Sequence, residues 1–190
     1  MDNSAHKPHG NEVVLLLNTV GLLGISVALT IAFYYQFAKF ELPCPLCLLQ
    51  RVGLIIAGCG FLFNICLNIK IRHYGMVIAG GVVTGLIAAR QVFLHILPGD
   101  TGYGSTFIGL HFYTWALIAS ILIIIAVAII LIISDWHFSA ITLPVFTMWN
   151  KAVSLFFIVL LGANLAATVL ECGSGQCADN PVRYLLLEML

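Results

Sequence analysis

The chain has 190 residues, of which 61% are hydrophobic and only 8% are charged, and its mean hydropathy is +1.06. This composition excludes a soluble globular domain and indicates an integral membrane protein. Eight basic residues balance eight acidic ones. The sequence therefore has neither the basic field expected of a nucleic-acid-binding protein nor an acidic tail.

Five apolar segments are long enough to cross a bilayer, which takes about 20 residues. They are predicted at residues 13–37, 44–67, 75–97, 110–133 and 151–170, and residues 171–190 form a tail. The first segment lacks a small-x-small cleavage pattern, so it is interpreted as a retained span and not as a removed signal peptide. The predicted fold is one all-α membrane domain, a four-helix transmembrane bundle with a fifth transmembrane helix.

The start of the second span carries a Cys-x-x-Cys pair, Cys44 and Cys47, with Pro45 between them. Because proline suits the first position of a helix, Cys44 should lie at the helix edge and Cys47 in the first turn. A helix N-terminus favours thiolate over thiol, and Arg51 adds a permanent cation one turn beyond Cys47. The motif predicts thiol redox chemistry, although two cysteines can also be small packing residues.

A second cysteine pair, Cys172 and Cys177, follows the fifth span in a glycine-rich stretch. Span two begins at the membrane surface where span five ends, so both pairs should face the same side. With the N-terminus in the cytoplasm, as a thin excess of basic residues favours, that side is extracytoplasmic, where disulfides persist. The tail pair could also be a simple staple, or it could join Cys44 and Cys47 in a four-cysteine zinc site.

The two remaining cysteines lie deeper in the second span. At about 1.5 Å of rise per residue, Cys59 and Cys66 are roughly 18 and 28 Å from Cys47, too far for a disulfide with it. We interpret both as packing residues.

Three other polar residues are interpreted without a catalytic role. Arg90 is costly inside a span unless it reaches the interface or a polar partner, so it is interpreted as structural. His95 and His111 flank the loop after span three, where histidines are more often interfacial or hydrogen-bonded than catalytic.

Several pieces of the sequence resemble the DsbB-type disulfide bond formation proteins, over roughly the first four spans. The matching pieces are Pro43-Cys44-Pro45-Leu46-Cys47, Gln50-Arg51, Arg90-Gln91-Val92-Phe93-Leu94 and the following Pro98. The resemblance implies an enzyme of the bacterial inner membrane that moves electrons from a DsbA-type periplasmic thiol oxidase to quinone, either ubiquinone or menaquinone.

The same resemblance implies roles for three residues. Cys44 would be the exposed cysteine that exchanges with the second pair, Cys47 would face the quinone, and Arg51 would support the bound quinone and the thiolate beside it.

The chain departs from the family pattern at the second pair. Family members carry that pair in the outer loop between spans three and four, and here residues 98–109 contain no cysteine. We expect Cys172 and Cys177 to take its place in the tail, where they would accept electrons from the partner and pass them to Cys44 and Cys47.

The sequence therefore favours a membrane thiol-disulfide oxidoreductase that reoxidises an extracytoplasmic dithiol partner and reduces quinone. A reductase similar to vitamin K epoxide reductase, running the same chemistry in reverse, is one alternative. A non-catalytic membrane protein stabilised by the four-cysteine zinc site is another.

Overall fold

A computed structural model of the chain describes residues 8–133, 147–173 and 175–188. Its long helices are α1 (Pro8–Ala38), α2 (Pro45–Cys66), α3 (Ile71–Leu94), α4 (Phe112–Ile133) and α5 (Met148–Cys172). A short hairpin, β1 (Thr106–Phe107) with β2 (Leu110–His111), precedes α4, and a single turn, α6 (Leu185–Glu188), lies in the tail. Within the described ranges, five helices are long and apolar enough to cross a membrane. The predicted all-α, multi-pass membrane fold is confirmed.

The predicted spans differ from the helices at their ends. Helix α3 begins at Ile71 and ends at Leu94, so it is shifted toward the N-terminus of its predicted span. Helix α5 runs two residues beyond the predicted end of its span, and Cys172 is therefore its last residue. The start of α2 is as expected, because Cys44 caps the helix and Pro45 opens it.

Glycines let α2 and α3 approach closely. A Cβ built on Gly53 of α2 would lie 2.9 Å from the backbone N of Thr84 and 3.0 Å from the carbonyl O of Gly80 in α3. Any side chain there would push the helices apart. Around this pair, α4 packs against α3, and α1 packs against both α2 and α5. The fifth helix therefore joins the bundle through α1 and, to a smaller extent, α2.

The interior is mainly apolar, and the outward faces are apolar as well. Fully buried side chains come from α1, α2, α3, α4 and α5, and they include Leu22, Ile65, Val77, Val127 and Phe157. Many large apolar side chains on the same helices are exposed, among them Leu86, Ile132 and Leu155. Exposed apolar helix faces of this kind suit a lipid environment.

A buried polar network joins the first three helices at the end of the bundle where α2 meets α3. Asn18 donates to the Tyr74 hydroxyl (2.7 Å), and Asn64 donates to the Asn18 side-chain oxygen (2.9 Å). The same Asn64 accepts from the backbone N–H of Lys70 (3.1 Å). Because buried amides must be paired, this network fixes how the three helices align.

The opposite end of the bundle, where α1 ends and α2 begins, is called the cysteine end below. The loop of residues 95–111, called the outer loop, reaches it through the Tyr103 hydroxyl, which donates to the Leu42 carbonyl (2.8 Å). The tail reaches it too, because the Gln36 amide donates to the Tyr184 hydroxyl (3.3 Å). Both cysteine pairs therefore lie at one end of the bundle, as the span count predicted. Which side of the membrane that end faces stays a prediction.

Candidate functional site: a disulfide beside an apolar cavity

The first cysteine pair forms a disulfide at the N-terminus of α2. The Cα atoms of Cys44 and Cys47 are 5.0 Å apart. The backbone N–H of Cys47 points at the Cys44 sulfur over 3.2 Å, so the sulfur serves as the helix cap. Such a contact, with the positive end of the helix dipole, stabilises negative charge on that sulfur once the disulfide is reduced.

The burial of the two sulfurs differs from what the family resemblance implied. Cys44 was expected to be exposed, but it is only 6% exposed, and Cys47 is half-buried. The outer loop explains the difference, because Tyr103 is bonded to the carbonyl of Leu42, two residues before Cys44. A residue distant in sequence thus covers the segment that leads into the motif. The sequence of the motif alone does not reveal this covering.

Gln91 of α3 contacts both sulfurs, and the sequence analysis did not single it out as a site residue. Its side-chain Nε2 lies 3.4 Å from the Cys44 sulfur and 3.8 Å from the Cys47 sulfur. Its Oε1 accepts from Gln50 Nε2 over 2.8 Å, and the side chain is 2% exposed. A buried amide held by a second amide presents a fixed N–H donor to the disulfide. In the sequence, the signal for this contact is that Gln50 and Gln91 are polar residues in otherwise apolar helices.

Arg51 lies one turn beyond Cys47 and is anchored to α1. Its Nη1 donates to Gln36 Oε1 (2.7 Å) and its Nη2 to the Ala32 carbonyl (3.2 Å). The guanidinium carbon lies 5.4 Å from the centre of the Phe33 ring, within cation–π range. The arginine therefore stays within the bundle as a fixed cation near Cys47.

A cavity of about 270 Å³ opens beside the disulfide. Cys47, Gln50 and Arg51 form part of its wall, and most of the remaining wall consists of apolar and aromatic side chains from α1, α2, α4 and the outer loop, including Ile31, Leu54, Phe107 and Trp115. Ligand pockets combine mainly apolar walls with a few fixed polar groups, and they begin at about 300 Å³. The cavity thus has the character and nearly the size of a small-ligand site.

Hydrogen bonds between loops hold the rim of the cavity. The Glu41 carboxylate accepts from the backbone N–H of Ser105 (3.1 Å) and from the Ser105 hydroxyl. The Trp115 indole N–H donates to the Phe107 carbonyl (2.8 Å). Burial raises the pKa of the Tyr103 phenol, and the nearby negative charges raise it further, so this rim residue stays a protonated donor.

The second pair also forms a disulfide. Cys172 and Cys177 have Cα atoms 4.5 Å apart, Cys172 is 6% exposed, and Cys177 is half-buried. Gly173 ends α5 with a positive φ of 60°, a conformation that favours glycine. Gly173 thereby turns the chain immediately after Cys172. Ser174, which the sequence predicts to add to the backbone freedom of this short loop, lies outside the described residues.

Glu171, the residue before Cys172, is buried at the cysteine end. It is 2% exposed, and within the described part of the chain neither carboxyl oxygen has a hydrogen-bond partner. It interacts electrostatically with Arg51 and with Tyr103. No sequence pattern indicates a special role for this residue, because a glutamate at the end of a span is ordinary until its burial is known.

The remaining residues of interest lie away from the disulfides. His95 Nδ1 is 3.1 Å from both Asp100 carboxylate oxygens, and His111 stacks on Tyr113. These contacts agree with hydrogen-bonded, interfacial histidines. The Asp100 carboxylate also accepts from a backbone N–H, and this bond and His95 hold the pKa of Asp100 below its usual range.

The two other cysteines and Arg90 are not part of the site. Cys59 is half-buried and packs against the apolar core, in agreement with a packing role. Cys66, at the far end of α2, is exposed and lies 3.8 Å from the Ser154 hydroxyl. Arg90 is exposed on α3.

The fold and site together define a multi-pass membrane protein that carries a disulfide at the start of a buried span, beside an apolar cavity. Residues 15–103 match the family model "Disulfide bond formation protein DsbB". The matched residues hold most of α1, all of α2 and α3 and both Cys44 and Cys47, and over them the chain is similar to this family.

Individual relatives give the same result. The chain is similar to "Disulfide bond formation protein B" of Hahella chejuensis (38% identity over 82 residues) and of Acinetobacter baylyi (39% over 87 residues). These matches cover 41% and 42% of this chain and 50% and 51% of the relatives. The chain thus spans about half the length of the relatives it matches. No solved structure matches the chain.

The matched family segment is shorter than the sequence analysis expected. It ends at residue 103, in the outer loop, and not after the fourth span. Helices α4 and α5 and the tail disulfide therefore lie beyond it.

Proposed function

We propose that the protein is a membrane thiol-disulfide oxidoreductase that reoxidises a DsbA-type extracytoplasmic dithiol partner and passes the electron pair to quinone. The observation that carries this proposal is the cavity whose wall contains Cys47 and Arg51 together. A redox-active sulfur that borders an apolar pocket in a membrane bundle can deliver electrons to an apolar acceptor there, which a disulfide serving only as a staple does not need.

Two hydrogen-bond donors and one cation prepare the Cys44–Cys47 pair for exchange. The N–H of Cys47 and the amide of Gln91 point at the Cys44 sulfur, and the Arg51 cation lies one turn away. Each favours the thiolate, which is the nucleophile in thiol-disulfide exchange. Because these donors are buried and fixed, their effect on a nearby negative charge is larger than it would be in water.

The cavity suits the head of a quinone. Its aromatic and aliphatic wall accepts a flat apolar ring, and the Arg51 guanidinium, with five N–H groups, retains donors beyond those used for Gln36 and Ala32. Bound there, ubiquinone or menaquinone would supply the acceptor for two electrons and two protons. The acceptor would then contact both Arg51 and Cys47, and it would lie beside the disulfide.

We assign the tail pair to the exchange with the partner. In each pair one cysteine is 6% exposed and the other is half-buried, but Cys177 is flanked by exposed tail residues whereas Cys47 borders the cavity, so the tail disulfide is the one that a soluble partner can reach. A partner dithiolate would attack the tail disulfide, leaving the partner oxidised and Cys172 and Cys177 reduced. The tail dithiol would then reduce Cys44–Cys47 through a mixed disulfide. The cysteine end would face the periplasm across a bacterial inner membrane.

The zinc alternative has no support, because the four sulfurs that it needs are paired as two disulfides. The reductase alternative uses the same residues in the opposite direction. The experiment below therefore follows the direction of electron flow as well as its path.

The test traps the relay intermediates in a background in which Cys59 and Cys66 are replaced by alanine. In the Cys47→Ser variant, we expect a mixed disulfide between Cys44 and a tail cysteine. When Cys44 and Cys47 are replaced by serine and the tail disulfide is intact, we expect one between a tail cysteine and a DsbA-type protein that keeps only its attacking cysteine, whose thiolate opens the tail disulfide. The intact protein should oxidise a reduced DsbA-type partner that keeps both cysteines, while a short-chain ubiquinone or menaquinone analogue loses its quinone absorbance.

Two results would contradict parts of the proposal. Partner oxidation that persists after removal of both tail cysteines would mean that Cys44 meets the partner directly. If neither quinone analogue oxidises the reduced Cys44–Cys47 pair, in protein that is folded and dispersed in detergent, quinone is excluded as the acceptor.

A further inference from the structure

Glu171 is a buried carboxyl group whose hydrogen-bonding capacity is unused. It is 2% exposed, and neither of its oxygens has a hydrogen-bond partner among the described residues. Other polar side chains in α5 are satisfied locally, such as Asn164, which donates to the Leu160 carbonyl (2.9 Å). Burying a carboxyl group without hydrogen bonds is costly, so its retention calls for a functional reason.

Glu171 interacts electrostatically with two residues that line the cavity, Arg51 of α2 and Tyr103 of the outer loop. The next residue in the chain, Cys172, belongs to the tail disulfide. One carboxyl group is thus adjacent in the chain to the second redox pair and interacts electrostatically with the wall of the cavity.

The neighbours leave the carboxyl oxygens free. Arg51 donates to Gln36 and to a backbone carbonyl of α1, and the Tyr103 hydroxyl donates to Leu42. If Glu171 served only as the counter-ion of Arg51, a direct hydrogen-bonded pair would be the stable arrangement in a buried setting. A carboxyl group near a cation but hydrogen-bonded to nothing can take up and release a proton without breaking another bond.

We propose that Glu171 is a proton-transfer residue for the Cys44–Cys47 pair, an inference that rests on the proposed function. When the reduced pair closes, one S–S bond forms, two S–H bonds break, and two electrons and two protons leave the sulfurs for the quinone, which becomes a quinol. Glu171 takes up one of these protons at a carboxyl oxygen and releases it on the cavity side. The carboxyl group ends the cycle in its starting state, so atoms and electrons balance.

The test compares Glu171→Gln, Glu171→Asp and, as a matched control, Asp179→Asn. Asp179 is an exposed carboxylate two residues after Cys177, so its replacement removes a negative charge from the tail without touching the buried site. The first measurement is the single-turnover rate at which reduced protein reduces a short-chain ubiquinone, in H₂O and in D₂O. Loss of general acid-base transfer typically costs about 10²–10⁴-fold in rate.

We expect Glu171→Gln to be slowed at least about tenfold, with an enlarged solvent isotope effect. We expect Glu171→Asp to recover most of the rate and Asp179→Asn to match the wild type. The second measurement does not depend on turnover. The infrared difference spectrum between oxidised and reduced protein should contain a carboxyl C=O band that shifts in D₂O, moves in Glu171→Asp and is absent in Glu171→Gln.

The outcomes separate this inference from the proposed function. If the wild type does not reduce the quinone, the proposed function fails. If the wild type does so and Glu171→Gln has the same rate, isotope effect and infrared bands, the proton-transfer role is wrong. Should Glu171→Gln fail to fold, an infrared spectrum of Glu171→Asp identical to that of the wild type would overturn the role instead.

Discussion

We predict that the contact between Gln91 and the two sulfurs raises the redox potential of the Cys44–Cys47 pair. The amide nitrogen is 3.4 Å from one sulfur and 3.8 Å from the other, and Gln50 holds the amide oxygen. Gln91→Met keeps the length of the side chain and removes the donor. We expect the variant to fold, and its disulfide to become harder to reduce.

The magnitude follows from the charge on the acceptor. A disulfide sulfur is a weak, neutral acceptor, whereas the thiolate of the reduced form is charged, and a hydrogen bond to a charged group contributes about 1.5–3 kcal/mol. Removing the donor therefore destabilises mainly the reduced form. At about 30 mV for each 1.4 kcal/mol in a two-electron couple, the midpoint potential should fall by about 30–60 mV.

The assay is a redox titration of purified protein in detergent, with the tail cysteines replaced by serine so that a single couple is observed. Acid quenching and thiol alkylation then give the reduced fraction at each glutathione ratio. The matched control is Ser26→Ala, because Ser26 is buried in α1 and its hydroxyl donates to the Leu22 carbonyl (2.8 Å), away from the sulfurs. This control should leave the potential unchanged even if it lowers the melting temperature. An unchanged potential in Gln91→Met would refute the assigned role.

Three further outcomes are expected. Arg51→Gln should weaken the apparent affinity for a quinone analogue at least about tenfold, a loss of about 1.4 kcal/mol in binding free energy. The control Arg90→Gln removes an exposed cation and should leave the affinity unchanged. Equal affinities in the two variants would count against the role of Arg51. Cys59→Ala and Cys66→Ala should keep the rate of quinone reduction, and loss of activity at a normal protein level would make either more than a packing residue. Because the pKa of Asp100 is lowered, its carboxylate stabilises the outer loop at pH values above the usual aspartate pKa, and this contribution is lost as pH falls through the lowered pKa. Limited proteolysis of the loop should therefore become faster as pH falls through that lowered pKa. Asp100→Asn should abolish this pH dependence.

Local and composition-level signals were enough to predict the architecture. A run of about 20 apolar residues is a membrane span whatever its neighbours are, because a bilayer requires every backbone group to be bonded within the segment. The Pro-Cys-Pro sequence predicted the helix start at Pro45, since proline restricts only its immediate surroundings. Counting spans then predicted that Cys172 and Cys44 share one end of the bundle, without knowledge of any contact.

Tertiary structure alone decided the composition of the site. Gln91 and Cys44 are 47 positions apart, and no local pattern indicates that the helix of one presents an amide to the sulfur of the other. The same holds for Tyr103, whose contact with Leu42 helps to cover the cysteine motif, and for Glu171, whose burial beside Arg51 depends on how α5 packs. Spans and helix starts are properties of short segments in a given solvent. Hydrogen bonds, burial and cavity walls arise from close packing between segments distant in the chain, and a one-dimensional pattern does not encode that packing residue by residue.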